Sequence, residues 1–260
     1  MTLQFTNVTI LMEGPLFPDI NLHETLNIYT KVCNVVLSIY KTDFDAIKQI
    51  CTSFPNVVII ENDINEYKSQ PVRIDPEFKN HTAISLLLGY CQICSVKKGL
   101  EYIDTPYVVK TKIDHCYGNI CEFIQYGLTT NKIIASSLFQ RGCQDKSIPN
   151  RSRYCLTDTL FMGKTSDIKL CFELAYENRL LTRIATGIWT PYFIHIFKNK
   201  GIDINDVDDE SYAKYMGEVV DIYCVNKLGS YKFKYFNNVM TYMYDNDKTT
   251  YEYLMYGCDC

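Results

Sequence analysis

The stretch Gln92–Asp114, QICSVKKGLEYIDTPYVVKTKID, decides how this chain is read. Its first part is the end of an amphipathic helix that stops at Gly99. Asp104-Thr105-Pro106 then make a turn, and YVVKTKI reads as a strand that delivers Asp114 to its C-terminal edge. In open α/β sheets that edge is where ligands bind. Side chains alternate along a strand, so Lys110, Lys112 and Asp114 share one face while Val109, Thr111 and Ile113 take the other. Two cations and a carboxylate on one face at a sheet edge suit a phosphorylated ligand; the other arrangement they permit is an internal ladder of ion pairs.

Upstream of this stretch the chain alternates short apolar runs with helical spacing. Asn7–Leu11 reads as a buried strand ended by Glu13-Gly14-Pro15, and Leu22–Val32 as a helix. Asn34–Ile39 is a second strand, Asp43–Cys51 a helix and Asn56–Ile60 a third strand. Strand and helix in this alternation predict a parallel sheet with helical crossovers. The strand ends carry Glu13 and Gly14, then Ser38 and Tyr40, then Asn62 and Asp63, which either line a nucleotide pocket or cap loops. No G-x-G-x-x-G follows the first strand and no G-x-x-x-x-G-K-[ST] occurs, which removes the main support for a dinucleotide fold or a P-loop.

Glu61–Asn80 is polar and loop-like. A helix is expected from Thr82 toward Lys98, with Gly89 as a point of interruption. Asn119–Tyr126 reads as a short helix and Lys132–Phe139 as a strand. Gln140–Arg153 is the longest candidate for an active-site loop; its Arg141, Arg151 and Arg153 bind phosphate or form a solvated basic face. Tyr154–Lys164 places Asp158 in an otherwise apolar, strand-like run ended by Gly163, and a carboxylate there is costly without a partner or a task. A helix up to Asn178 follows, Thr190-Pro191 opens another that ends at Lys200-Gly201, and a last one lies near Tyr212–Val220.

With 260 residues, of which 47% are hydrophobic, the chain can bury a full core. A net charge of -4 gives no general electrostatic footprint for nucleic acid or an acidic membrane surface, so phosphate binding must be local. The N-terminus has no basic region and no long apolar run, so neither a signal peptide nor an integral membrane segment is expected. Twelve cysteines without a signal segment point to a reducing compartment, hence a cytoplasmic location, or host cytoplasm or virion if the source is viral. Cys91-x-x-Cys94 and Cys258-x-Cys260 have no second pair at zinc-site spacing. Abundant Tyr, Ile, Asn and Lys suit an AT-rich genome, whether of a large DNA virus or a bacterium.

The chain resembles the WavE-like glycosyltransferases, associated with lipopolysaccharide synthesis and also found in large DNA viruses. The resemblance is densest at Gln92-Ile93-x-Ser95, Gly99-Leu100, Thr105-Pro106-Tyr107-Val108 with Lys110, and Asp114. It extends to Gly14-Pro15, Leu37-Ser38, Thr157-Asp158 with Phe161 and Gly163, the helix after Pro191, and the Tyr212–Tyr235 region with Leu228-Gly229. The resemblance implies an α/β, GT-A (Rossmann-like) fold with a mostly parallel sheet flanked by helices. It would be a single domain over 1–235, with a Tyr-rich C-terminal extension, 236–260, packed on it. The implied activity is transfer of a sugar from a nucleotide-sugar donor to a glycan, lipid-linked or protein-linked acceptor.

In that family scheme Asp114 belongs to a D-x-D-type motif holding Mn2+ or Mg2+, with His115 and His195 as candidates for a further ligand, each otherwise a structural histidine. Lys112 and Cys116 stand where a second carboxylate would be, so Lys112 itself is expected to neutralise donor diphosphate. The implied donor-binding residues are Gly14, Ser38, Tyr40, Asp63, Gln92, Lys110, Lys112 and Asp114. Asp158 is the implied catalytic base for the acceptor hydroxyl. Two other readings stand beside this one: a nucleotidyltransferase, and a degenerate GT-A protein acting as a sugar-binding or structural module.

Overall fold

The computed structural model describes residues 5–16, 22–78, 82–137, 156–203, 206–228, 231–233 and 252. The proposed loop at 140–153 with its three arginines, and the tail from 236 apart from Glu252, lie outside the described residues.

The β-branched runs of the first half become three neighbouring strands, β1 (Val8–Glu13), β2 (Asn34–Tyr40) and β3 (Val57–Asn62). Between them lie α1 (Leu22–Tyr29) and α2 (Phe44–Cys51). The polar stretch that follows is not all loop: it holds α3 (Ile64–Lys68), capped by the Asp63 carboxylate on Asn65 N at 2.9 Å, and a two-residue strand, β4 (Arg73–Ile74). Helix α4 (Ala83–Leu100) runs unbroken through Gly89, where a Cβ would meet only ordinary contacts. It leads to β5 (Tyr107–Lys112) and β6 (His115–Tyr117), then α5 (Ile120–Leu128) and β7 (Ile133–Ser136). The chain continues through β8 (Leu160–Lys164), α6 (Thr165–Asn178), β9 (Leu180–Leu181) and α7 (Ile184–Asn199). It closes with α8 (Asp209–Val219), β10 (Val220–Tyr223) and β11 (Tyr231–Phe233).

The central sheet has seven strands in the order β10-β7-β8-β5-β1-β2-β3. All its pairings are parallel except those of β8, which runs antiparallel to both β5 and β7. This is the expected α/β class with a mostly parallel sheet flanked by helices. Period-two alternation gives the sheet two apolar faces. Leu11, Val36, Ile60, Val108 and Phe161 pack beneath residues of α4, α6, α7 and α8, among them Val96, Phe172, Trp189 and Met216. Ile10, Met12, Leu37, Val109 and Met162 pack beneath α1, α2 and α5 through Leu26, Ile47 and Phe123.

Two further sequence expectations shift. Helix α7 starts at Ile184 rather than at Thr190, and Pro191 lies inside it. Proline costs a helix interior about 3 kcal/mol, and burial of Ile188, Trp189, Phe193 and Phe197, all 0% exposed, outweighs that cost. The strand around Asp158 is also shorter than expected: β8 begins at Leu160, and Asp158 precedes it in a turn where the Thr157 and Thr159 hydroxyls share a 2.7 Å hydrogen bond. Among the described residues no helix is long and apolar enough to cross a membrane.

Candidate functional site

On the face covered by α4, α6 and α7 each strand changes character at its C-terminal end. Leu11 gives way to Glu13, Val36 to Ser38, Ile60 to Asn62, and Val108 to Lys110 and Lys112. The parallel register sets Leu11 opposite Lys110 and Glu13 opposite Lys112. Because β8 is antiparallel to β5, its leading turn arrives at the same edge and brings Asp158 with it.

The two lysines of β5 divide into different roles. Lys110 is wholly internal: its Nζ lies 3.0 Å from Glu13 Oε1, with both side chains 0% exposed. It also donates to the Asp158 carbonyl at 2.6 Å and sits 5.8 Å from the centre of the Phe161 ring. For Lys110 the ion-pair ladder is what forms. Lys112, two residues nearer the edge, keeps 23% of its side chain exposed and holds Asp158 Oδ2 at 2.8 Å; Asp158 is 17% exposed.

Electrostatics follow from this packing. Burial alone would raise the Asp158 carboxyl, but Lys112 and Lys110 hold it down at about 2. Burial weakens the Lys112 ammonium, yet Asp158 and Glu13 more than compensate and hold it above its ordinary value. Asp114 is pushed up by burial against the pull of Lys112. Burial, then Lys112 and Lys110, push His115 down to about 3, so its ring is neutral at ordinary pH. His115 Nδ1 lies 3.0 Å from the Tyr117 hydroxyl and its Nε2 3.6 Å from Asp114 Oδ1.

Beside this ionic cluster lies a neutral one, built where α4 meets β2. Ser38 donates to the Ser95 carbonyl at 2.6 Å, and Asn62 donates to Ser38 Oγ at 2.9 Å and to the Ile39 carbonyl at 3.0 Å. Tyr67 donates in turn to Asn62 Oδ1. Gly99 permits this approach, because a Cβ there would stand 2.7 Å from Leu11 Cδ1 and 3.0 Å from Ser38 Cβ. Gln92, one turn before Ser95, has a buried Oε1 with no hydrogen-bond partner among the described residues. Gly14 leaves β1 at φ +118°, a conformation that favours glycine.

Of the residues singled out from the sequence, Lys110, Lys112, Asp114, His115 and Asp158 thus gather around Glu13. Ser38 and Tyr40 end the neighbouring strand, both nearly buried, at 0% and 7% exposure. Asp63 turns to cap its own helix, and His195 lies on α7 with Asn199 Nδ2 3.1 Å from its Nε2. The pairing of Glu13 with Lys110 and the anchoring of Ser38 by Ser95 and Asn62 were not foreseen. The register of a parallel β1–β5 pair is the one signal that could have indicated the first. Among the described residues no three His, Cys, Asp or Glu side chains are placed to hold a metal ion together: Asp114 has His115 at 3.6 Å, and the Lys112 and Lys110 cations acting on it further disfavour a divalent ion.

No family model matches the chain, and no curated protein matches it. Solved structures give distant likenesses. One is 4-diphosphocytidyl-2C-methyl-D-erythritol synthase from Anaerococcus prevotii, 15% identical, covering 92% of each chain with a TM-score of 0.45. Another is the galactosyltransferase LgtC in complex with donor and acceptor sugar analogues, 12% identical, covering 73% of this chain and 70% of that one with a TM-score of 0.44. HddC from Yersinia pseudotuberculosis, complexed with GMP-PN, is 14% identical over 74% of this chain and 98% of that one, with a TM-score of 0.38.

Proposed function

We propose that the protein is a glycosyltransferase of the WavE-like kind, moving a sugar from a nucleotide-sugar to a glycan, lipid-linked or protein-linked acceptor. The observation that carries this reading is the 2.8 Å contact between Lys112 Nζ and Asp158 Oδ2 at the C-terminal edge of β1 and β5. A half-buried cation and carboxylate paired at that edge support it, because parallel sheets commonly receive ligands there. The family motifs around Gln92, Asp114 and Asp158 support it.

The chemistry needs both partners in sequence. A donor diphosphate attracts Lys112, which neutralises the charge that develops as the sugar–phosphate bond breaks. Losing Lys112 frees the Asp158 carboxylate, whose basicity rises once its ion partner is gone. Asp158 then takes the proton of the acceptor hydroxyl while that oxygen bonds to the anomeric carbon. Gly14 lets the backbone approach the donor, and Gln92 offers its free carbonyl oxygen to a base or ribose donor. No step uses a metal ion.

Thermal shift with a panel of UDP-, GDP-, CMP- and TDP-sugars, with and without manganese, tests the reading. One nucleotide class should raise Tm. Lys112→Met should weaken that donor about tenfold or more, whereas Asp158→Asn should keep donor binding and lose turnover. A panel that moves Tm for no nucleotide refutes the proposal, and donor binding without turnover in the unaltered protein would favour the sugar-binding module instead.

A further inference from the structure

A cleft of about 740 Å³ opens between α6 and α7, away from the ionic cluster, and it falls within the usual range of ligand sites. Its floor is Thr182, 4% exposed, whose Oγ1 has no hydrogen-bond partner among the described residues. Buried hydroxyls are nearly always paired, and one that is not and that lines a cavity calls for an outside partner. Pro191, which has no N–H, lines the cleft together with Gly187, one turn before it. Thr186 and Thr190 lie along the same side of α7, while Trp189 faces away and donates to the Thr157 carbonyl at 3.4 Å beside Asp158. Helix α7 therefore stands between the two regions.

The lining selects a class of ligand. Among the described lining residues Lys198 stands with Glu177 and Asp75, which leaves no excess of cations for a phosphate or nucleotide. A purely apolar ligand would leave the Thr182 hydroxyl unsatisfied. Strand β9 is only two residues long, too short an edge to hold an extended peptide. Hydroxyl groups, which donate and accept, match the Thr182 hydroxyl, which does both, and Leu174, Leu180 and Ile194 give apolar surface for ring C–H faces. We infer that this cleft binds a neutral, hydroxyl-rich saccharide chain, at a site separate from the sheet edge. The inference does not depend on the transferase reading.

The test is titration of the full chain with cellotetraose, maltotetraose, mannotetraose and chitotetraose, followed by saturation-transfer NMR and calorimetry. At least one should bind. Thr182→Val should weaken it by about fivefold or more, with a Tm equal to or above that of the unaltered protein, since the substitution removes an unpaired hydroxyl. Ile194→Trp, which fills the cleft, should weaken it by about tenfold or more, and Lys112→Met should leave it unchanged. Absence of binding by all four, binding that survives both cleft variants, or loss in Lys112→Met would each overturn the inference. Because the nucleotide-sugar panel reads the other site, failure here and failure there remain distinguishable.

Discussion

Replacing Lys110 with methionine is the sharpest test of how this edge is built. The ammonium lies 3.0 Å from Glu13 Oε1 with neither side chain exposed. At an effective dielectric near 20 the attraction between two charges at that distance is about 5 to 6 kcal/mol, most of which offsets the cost of burying them. The pair thus contributes little net stability, but half of it is expensive. Lys110→Met leaves the Glu13 carboxylate buried with neither oxygen hydrogen-bonded, and frees the Asp158 carbonyl as well. We expect a loss of about 3–5 kcal/mol, which for a chain of this size lowers Tm by roughly 6–20 °C. Glu13→Leu combined with Lys110→Met removes both charges and should recover stability to within about 1–2 kcal/mol of the original. Urea denaturation followed by circular dichroism on the two single variants and the double variant measures this directly. A single-variant loss below about 1 kcal/mol, or a double variant as unstable as the two losses added, refutes the argument.

Three further outcomes can be measured. His115 titrates near 3 in the folded chain, far below its ordinary 6.5. The unfolded chain therefore takes up a proton that the native one refuses: the contribution is complete above pH 6.5 and is lost as pH falls toward 3, at up to about 1.4 kcal/mol per pH unit. His115→Gln should flatten the stability profile between pH 6.5 and 5; an unchanged slope there contradicts a buried neutral imidazole. Gly99→Ala should cost about 1–3 kcal/mol by forcing α4 off Leu11 and Ser38, and chemical denaturation showing no loss would mean that the helix yields freely. Gly14→Ala, set at φ +118°, should cost about 1–3 kcal/mol, with the same measurement as its check.

Much of the fold could be read in advance because its strands are continuous β-branched runs: NVVLSI is buried from Val35 to Ile39, while NVVII, at the sheet edge, leaves Val58 exposed but keeps the same pattern. What escaped has physical reasons. Pro191 carries the signature of a helix start, but Trp189 and Phe193 bury deeply enough to keep the helix going through it. Residues Ile64–Lys68 form a helix too short for periodicity to reveal. The direction of β8 depends on topology rather than on local pattern, yet it alone decides that Asp158 meets Lys112. Alternation made Lys110 and Lys112 look equivalent; only their depth along β5, with Phe161 over the first, separates a structural cation from an accessible one. The cleft beside α7 was invisible because Asp75, Thr182 and Lys198 come from distant segments.

The ion pairing at the sheet edge also bears on how fast anything can arrive there. Lys110 and Lys112 face Glu13, Asp114 and Asp158, so among the described residues the edge carries no positive surplus to draw in an anion from a distance. An anionic ligand must reach this edge by unguided diffusion, and its capture should then depend on the exchange of Lys112 from one partner to another. Encounter rates in the ordinary range of about 10⁵–10⁷ M⁻¹s⁻¹, almost indifferent to ionic strength, are the kinetic signature to expect.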